Sequence, residues 1–312
     1  MNGLELSRRY FEEYGRPMLE KDFGAYADRI AAGLSGPGSE RYGFDDEVSR
    51  DHDFCAGFCL WISDGDDAKI GFELAKAYRK LTSSFLGIPT AERERTGTSR
   101  YGVITYSAFF EPLVGENFAS FTPSDFLYTP SHYLADATNG EVFSDPGGTF
   151  TALREKLLHG MPEDIRLKKL AANVAGMAQA GQYNYARILA HGEEGAAVMA
   201  LCEFVKYTCA AVYLLNRRHA PYYKWMIRGM STLPLLGELA PSLDFLLTAE
   251  NTPAAQHTKS EIIEDICWNI AQTLKAEHLS ASDSDFLEAH AREITKHISD
   301  PAVRNLHILT GA

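Results

Sequence analysis

The sequence feature that most constrains the fold is an alternating run from Asp51 to Ile62. Successive side chains of a strand point to opposite faces of its sheet, so this run predicts a strand with one apolar, core-facing side. The side chains of that core face are Phe54, Ala56, Phe58, Leu60 and Ile62. Asp51 and Asp53 share the opposite face, with their Cα atoms about 6.6 Å apart, the length of two strand rises.

The chemistry expected of this stretch follows from the two carboxylates and from the glycine-rich segment before them. At an effective dielectric of about 20, the two charges repel by about 2–3 kcal/mol, which protonation, a basic neighbour or a divalent cation relieves. Upstream, Gly38 lets the backbone approach a phosphate, and the hydroxyl of Ser39 can donate to it. Because carboxylate oxygens suit hard cations, we expect Mg²⁺ or Mn²⁺ carrying a nucleotide. The alternative is an ordinary turn followed by a polar strand start.

A family resemblance rests on the same residues. Gly38-Ser39, a spacer, Asp51-x-Asp53 and then an apolar residue resemble the signature of the DNA-polymerase-β-like nucleotidyltransferase superfamily. Longer stretches are similar to an uncharacterised bacterial family usually grouped with these enzymes, over most of residues 5–230. They are GSERYGFDDEVSRDHDF, LADATNGEVFSDP, PEDIRLKKLAA, GQYNYAR and LLNRRHAPYYKW. The resemblance implies a helix that starts at Gly38-Ser39 and holds a triphosphate, an acid pair that binds metal, and an NTP substrate, ATP being the expected one.

A third carboxylate is the departure from that pattern. The resemblance implies an acid on the strand after the acid pair, where it helps to activate the attacking hydroxyl. The predicted strand 101–106 has none, so Glu141 is the first candidate, followed by Asp145 and Glu111. Without a third acid, the alternative function is a non-catalytic nucleotide-binding sensor module of the same fold.

Basic and aromatic residues supply the other candidates. Arg41 and Arg50 lie near the loop and could neutralise phosphate or be ordinary surface arginines, whereas His52 is expected in the core. The densest later stretch, 216–225, could pair a phosphate and stack a ring, or could simply end a helix. Its candidate nucleotide-binding residues are Arg217, Arg218, Tyr222 and Lys224. A rival match, Arg154-x4-His159 with Arg292-x4-His297, is typical of HEPN-type ribonucleases.

The order of patterns predicts an α+β protein with a small mixed sheet, followed by an all-helical region. Strands are expected at 29–35, 54–62, 101–106 and 141–144 in a nucleotidyltransferase-like domain of residues 1–148. A helical substrate-binding domain would span 149–312. Glycine and proline set the expected helix ends, such as a break at Gly15 to Pro17, a helix over 67–86, and one over 162–180 that ends at Gly181.

Charge and composition narrow the partners. The 312 residues include 30 Lys and Arg against 42 Asp and Glu, a net charge of −12, which disfavours binding to DNA or to RNA at large. The expected acceptor is therefore a small molecule or a protein. The five cysteines lack metal-type spacing, and neither a signal peptide nor a membrane span is apparent, so we expect a cytoplasmic protein.

Overall fold

The structure is a computed structural model that describes residues 1–48, 54–90 and 100–312. Its sheet contains four strands in the order β5-β2-β1-β6, and two further strands form a separate hairpin, β3-β4. The strands are β1 (Ala31–Leu34), β2 (Cys59–Ile62), β3 (Ser84–Phe85), β4 (Ile88–Pro89), β5 (Gly102–Thr105) and β6 (Glu141–Ser144). Strand β1 is antiparallel to both β2 and β6, whereas β5 runs parallel to β2. The predicted mixed sheet is confirmed.

Contacts divide the described residues into two compact units. The first comprises Met1–Phe121 and Tyr133–Gly160, and the second comprises Thr122–His132 and Met161–Ala312. These limits differ from the predicted boundary at residue 148, because helix Thr149–His159 packs with the sheet. Within the first unit, the ring of Phe150 stacks on Trp61 of β2 with centroids 4.0 Å apart.

The first unit surrounds its sheet with short helices. They are α1 (Gly3–Tyr10), α2 (Arg16–Asp22), α3 (Asp64–Asp66), α4 (Phe72–Arg79), α5 (Tyr106–Val114), most of α7 (Ser131–Thr138), and α8 (Thr149–His159). Leu60 and Ile62 of β2 pack with Leu6 and Tyr10 of α1 on one face of the sheet. Trp61 packs on the other face with aromatic side chains from α5 and α8. The alternation predicted for 54–62 therefore separates two buried faces.

Two expected helix ends in the first unit are wrong. The chain stays helical through Gly15, because a π-helical turn at Phe11–Gly15 joins α1 to α2. Gly15 provides space there, since a Cβ would lie 2.6 Å from Cζ of Phe58. A second π-helical turn, Asp67–Gly71, joins α3 to α4, which ends at Arg79 rather than at residue 86.

The hairpin β3-β4 replaces the end of the expected helix over 67–86. Its two turn residues, Leu86 and Gly87, have φ values of 51° and 79°. Positive φ at both central residues is the geometry of a tight hairpin turn, although leucine seldom adopts it. The sequence gave no glycine signal at the first of these positions, so the hairpin was not predicted.

The second unit is helical in all its regular structure among the described residues, as predicted. Its helices are α6 (Pro123–Tyr128), α9 (Glu163–Met177), α10 (Ala186–Ala190), α11 (Glu194–Leu215), α12 (Tyr223–Met230), α13 (Ala240–Thr248), α14 (Pro253–Ala276), α15 (Leu287–Lys296) and α16 (Pro301–Arg304). Together with the mixed sheet of the first unit, this confirms the α+β fold class.

Helix α9 does not end at Gly181 as expected. A π-helical segment, Ala178–Tyr185, carries it directly into α10. Gly181 is needed for close packing rather than for a helix end, because a Cβ there would overlap the ring of Phe204 in α11. Helices α9 and α11 thus form the centre of the second hydrophobic core.

One described helix, α11, has the length and composition to cross a membrane. Of its most apolar window, 56% is buried within the chain, and a core helix meets the same criterion. Phe204, Cys209 and Val212 of this helix are fully buried in the helical core. The cytoplasmic location stays a prediction.

Candidate functional site

The candidate site lies at one end of the four-stranded sheet. Register pairs Gly33 of β1 with Cys59 of β2, and Cys59 with Gly102 of β5. The register also pairs Leu34 with Glu141 at the start of β6. The end of β1 and the starts of β2, β5 and β6 therefore meet at this end of the sheet, and the loop containing Gly38 and Ser39 leaves β1 here.

Gly38 occupies a position that only glycine suits. Its φ of 142° is a conformation that L side chains rarely adopt. A Cβ would also lie 2.5 Å from Nη2 of Arg100 and 2.8 Å from Nη1 of Arg41. The loop backbone thus passes directly beside two guanidinium groups, which is a suitable environment for an anion.

The helix that the resemblance implies at Gly38-Ser39 is reduced to a single turn. Ser39–Arg41 is a three-residue 3₁₀ turn, after which Gly43 reverses the chain with a φ of 69°. The carbonyl oxygen of Ser39 accepts hydrogen bonds from the backbone N–H groups of Tyr42 and Phe44, 3.1 and 2.9 Å away, which closes the turn. No extended helix dipole is available at Ser39.

Arg41 holds the loop together from inside. Its buried guanidinium donates to the carbonyl oxygens of Ser35 and Arg100 at 2.9 and 2.6 Å and lies over the ring of Tyr101. Burial alone would lower the pKa of Arg41, but Tyr101 and Glu40 more than offset that effect and raise it. Arg41 therefore stays charged and acts as an internal crosslink between the loop and the start of β5.

Glu40 lies among the same cations. Its carboxylate accepts from Arg41, from Nη2 of Arg100 at 2.7 Å, and from the hydroxyl of Tyr101 at 3.2 Å. Burial is the main cause that raises the pKa of Tyr101, so this hydroxyl remains a donor at neutral pH. The sequence analysis missed Glu40, Arg100 and Tyr101; the signal available was a set of charged residues flanking the glycine loop and the next strand.

A side-chain amide fixes the other side of the loop. Oδ1 of Asn139 accepts from the N–H of Gly36 at 2.9 Å, and its Nδ2 donates to the carbonyl oxygen of Gly36 at 2.8 Å. Arg154 donates to the carbonyl oxygen of Thr138 at 2.6 Å. This arginine of the HEPN-type pattern therefore supports the turn before β6, and its partner residue His159 is ion-paired within α8 to Glu155.

The predicted metal ligands Asp51 and Asp53, together with Arg50 and His52, lie outside the described residues. The described chain resumes at Phe54, four residues before β2 begins to pair with β1 near Gly33. Among the described residues, no group of three or more His, Cys, Asp or Glu could hold a metal ion. The metal assignment therefore still rests on the sequence.

The three candidates for the third carboxylate occupy different places. Glu141 lies at the same sheet end as the loop but pairs with Arg8 of α1. Asp145 lies beyond the other end of β6, where its Oδ2 accepts from the N–H of Thr151 at 2.8 Å. Glu111 is exposed on α5. Strand β5 carries no acid, in agreement with the expectation for that strand.

The basic stretch 216–225 lies in the second unit and begins with the end of α11. Arg217 follows the helix with a left-handed φ of 53°, and the N–H of Arg218 bonds the carbonyl oxygen of Tyr213, as in a Schellman motif. The guanidinium of Arg217 pairs with Glu163, 2.8 Å away. Hydrogen bonds from Arg166, and secondarily from Arg217, lower the pKa of Glu163 to about 2.

The remaining residues of this stretch are exposed. The ring of Tyr222 lies 5.6 Å from that of His132 and 4.3 Å from that of Tyr223, while the ammonium of Lys224 lies over Trp225. Two lysines considered earlier, Lys168 and Lys169, are instead buried in α9. They donate to the backbone carbonyl oxygens of Leu306 and of Phe126 and Leu127, so they stabilise the helical core.

Comparison with known proteins gives two matches. Residues 126–226, about a third of the chain, match a family described as a domain of unknown function, DUF4037. Among solved structures, the chain is similar to a nucleotidyltransferase-like protein from Exiguobacterium sibiricum, with a TM-score of 0.35 and 11% identity. That alignment covers 88% of this chain and 81% of the other. No curated protein matches.

Proposed function

We propose that the protein is a metal-dependent nucleotidyltransferase that moves an NMP from an NTP, ATP being the expected one, to a hydroxyl group. The observation that carries the proposal is the sheet end where β1 delivers the Gly38-Ser39 loop and β2 begins. The Asp51-x-Asp53 pair precedes β2 in the sequence, so the antiparallel pairing supports its placement on the same side of the sheet as the loop.

The residues of the loop would bind the polyphosphate. Gly38 exposes its backbone next to cationic groups, and Arg41 fixes the loop through buried hydrogen bonds. The pair Asp51 and Asp53 would hold Mg²⁺ or Mn²⁺, which when bound neutralises phosphate charge. In the transfer, the acceptor oxygen forms a bond to the α-phosphorus, the bond to the β-phosphate oxygen breaks, and pyrophosphate leaves while the hydroxyl gives up its proton.

The nature of the acceptor follows from charge. With a net charge of −12, the chain favours a small molecule or a protein over DNA. That the nucleotide also uses Arg217, Arg218, Tyr222 and Lys224 stays a prediction.

A second candidate, a non-catalytic nucleotide-binding module, is favoured by one observation. The strand after the predicted acid pair carries no acid, and Glu141 is already paired with Arg8. A module of this kind would bind an NTP with the loop and the metal but would release it unchanged.

Turnover separates the two candidates. The protein is incubated with each labelled NTP and Mg²⁺ or Mn²⁺, with candidate hydroxyl acceptors, and pyrophosphate is assayed. Asp51→Asn combined with Asp53→Asn should abolish turnover and metal-dependent NTP binding, whereas Glu47→Gln, an exposed acid of the preceding loop, should leave both unchanged. Metal-dependent binding without pyrophosphate release would favour the module, and equal NTP affinity in EDTA would contradict the metal assignment.

The same assay tests the basic stretch. Lys224→Ala should slow transfer and weaken NTP binding if this lysine contributes, and unchanged values would remove it from the proposal. Thermal melting of the variant provides the control for folding.

A further inference from the structure

We propose that Arg100 is a phosphate-binding residue of the Gly38-Ser39 loop, and that Glu40 occupies the anion position beside it until a phosphoryl group takes its place. This inference rests on the proposed function, since it names how the loop would bind the polyphosphate. It adds a cation that the sequence pattern does not contain and an internal competitor for it.

The position of the Arg100 guanidinium is the first argument. Its Nη2 lies where a side chain at Gly38 would be, only 2.5 Å from the position of a Cβ. Nη2 also donates to Oε1 of Glu40 at 2.7 Å. Glycine at residue 38 therefore makes room for this arginine, and any anion that reaches the Gly38 backbone also reaches its guanidinium.

The contrast between the two arginines is the second argument. Arg41 has a side chain only 1% exposed and spends its donors on carbonyl oxygens inside the protein. The side chain of Arg100 is 42% exposed, while its backbone carbonyl oxygen is fixed by Arg41 and by the thiol of Cys59. Arg100 thus has an anchored backbone and an accessible charged end, as a ligand-binding arginine requires.

Charge balance is the third argument. Two guanidinium groups share the single carboxylate of Glu40, so the three groups carry a net charge of +1 in a chain of net −12. An ion pair at a partly exposed arginine is weak, whereas a polyphosphate brings several charges and can accept two parallel N–H bonds from one guanidinium. On exchange, Glu40 keeps its bonds to Arg41 and to the hydroxyl of Tyr101.

The test uses binding of inorganic tripolyphosphate, measured by calorimetry at low salt in EDTA, so that neither metal nor turnover is involved. Arg100→Gln should weaken binding about tenfold or more, because a hydrogen bond to a charged group is lost. Glu40→Gln should strengthen binding several-fold, because it removes the competing charge and keeps the side-chain volume. Arg9→Gln, at an exposed arginine of α1, is the matched control and should bind as the wild type does.

The gain of affinity is the decisive result, since a damaged loop would not produce it. Weaker or unchanged binding by Glu40→Gln, with a melting temperature like that of the wild type, overturns the role of Glu40. Unchanged binding by Arg100→Gln overturns the role of Arg100. If Arg100→Gln does not fold, Arg100→Lys replaces it: the charge remains but the two-pronged geometry is lost, so affinity should fall by a smaller factor, and wild-type affinity overturns the role.

The result is distinguishable from failure of the proposed function. Turnover that depends on Asp51 and Asp53, together with tripolyphosphate binding that ignores Arg100 and Glu40, would leave the enzyme and remove this inference. The expected changes in tripolyphosphate affinity without turnover of any NTP would support the anion site and contradict the transferase.

Discussion

Lys169 in α9 should make the stability of the protein increase with pH just above neutrality. The lysine is buried, and its Nζ donates to the carbonyl oxygens of Phe126 and Leu127, 3.3 and 3.1 Å away, in the last turn of α6. Burial lowers the pKa of Lys169 from its usual 10.5 to about 8. Carbonyl oxygens accept its protons but do not neutralise its charge, so the folded state holds the proton less tightly than the unfolded state does.

The sign and size follow from proton linkage. Between pH 8 and pH 10.5 the unfolded chain binds more protons at this residue than the folded chain, so the free energy of unfolding rises with pH. For these two pKa values, the contribution grows by about 1.3 kcal/mol between pH 7 and pH 9. Buried thiols act in the opposite direction at higher pH: burial raises the pKa of Cys209 to about 12, so the folded state then keeps the extra proton.

The assay compares urea unfolding of the wild type and of Lys169→Met at pH 7, 8 and 9, followed by circular dichroism. Methionine fills a similar volume without a titrating group, so its unfolding free energy should lack the increase of about 1 kcal/mol. Lys206→Met, at an exposed lysine of α11, is the control and should keep the wild-type pH dependence. The same pH dependence in Lys169→Met as in the wild type would refute the reasoning.

Three further substitutions test local geometry. Arg217→Gly should be more stable than Arg217→Ala by about 1 kcal/mol, since glycine relieves the left-handed conformation at this helix end and both variants lose the same ion pair; urea unfolding of both checks this, and equal stabilities would contradict the strain. Gly140→Ala should cost more than 2 kcal/mol, because its Cβ would overlap the carbonyl oxygen of Leu34, whereas Gly43→Ala, with positive φ but open space, should cost about 1 kcal/mol. Phe150→Ala should destabilise the first unit by about 3–5 kcal/mol, measured from hydrogen exchange of the sheet amides, and a small effect would contradict its packing on Trp61.

The sheet could be predicted because its strands follow from local patterns. Strand β2 alternates between two buried faces, and β5 and β6 are short apolar stretches next to glycine. Helix ends were less predictable, because Gly181 could mark the end of a helix or a close contact between helices. Only the ring of Phe204 in α11 shows that the second reason applies here.

The candidate site was predictable in part. Gly38 and Ser39 were identified from spacing alone, and the positive φ of Gly38 agrees with the role given to glycine. The pairing of Glu40 with Arg100 joins residues 60 positions apart, and no local pattern indicates which arginine of a polar stretch meets which acid. Contacts of this kind depend on the register between β2 and β5.

The π-helical segment Ala178–Tyr185 makes the number of residues in its helix matter as much as their identity. Each residue of an α-helix advances the direction of the side chains by about 100°, so a single deletion would rotate everything that follows by that angle. Ile188 and Leu189, which now pack against the helical core, would turn away from it. Homologous chains should therefore vary in sequence between Met177 and Ala186 more readily than in length, and one-residue gaps there should coincide with changes at both leucine and isoleucine.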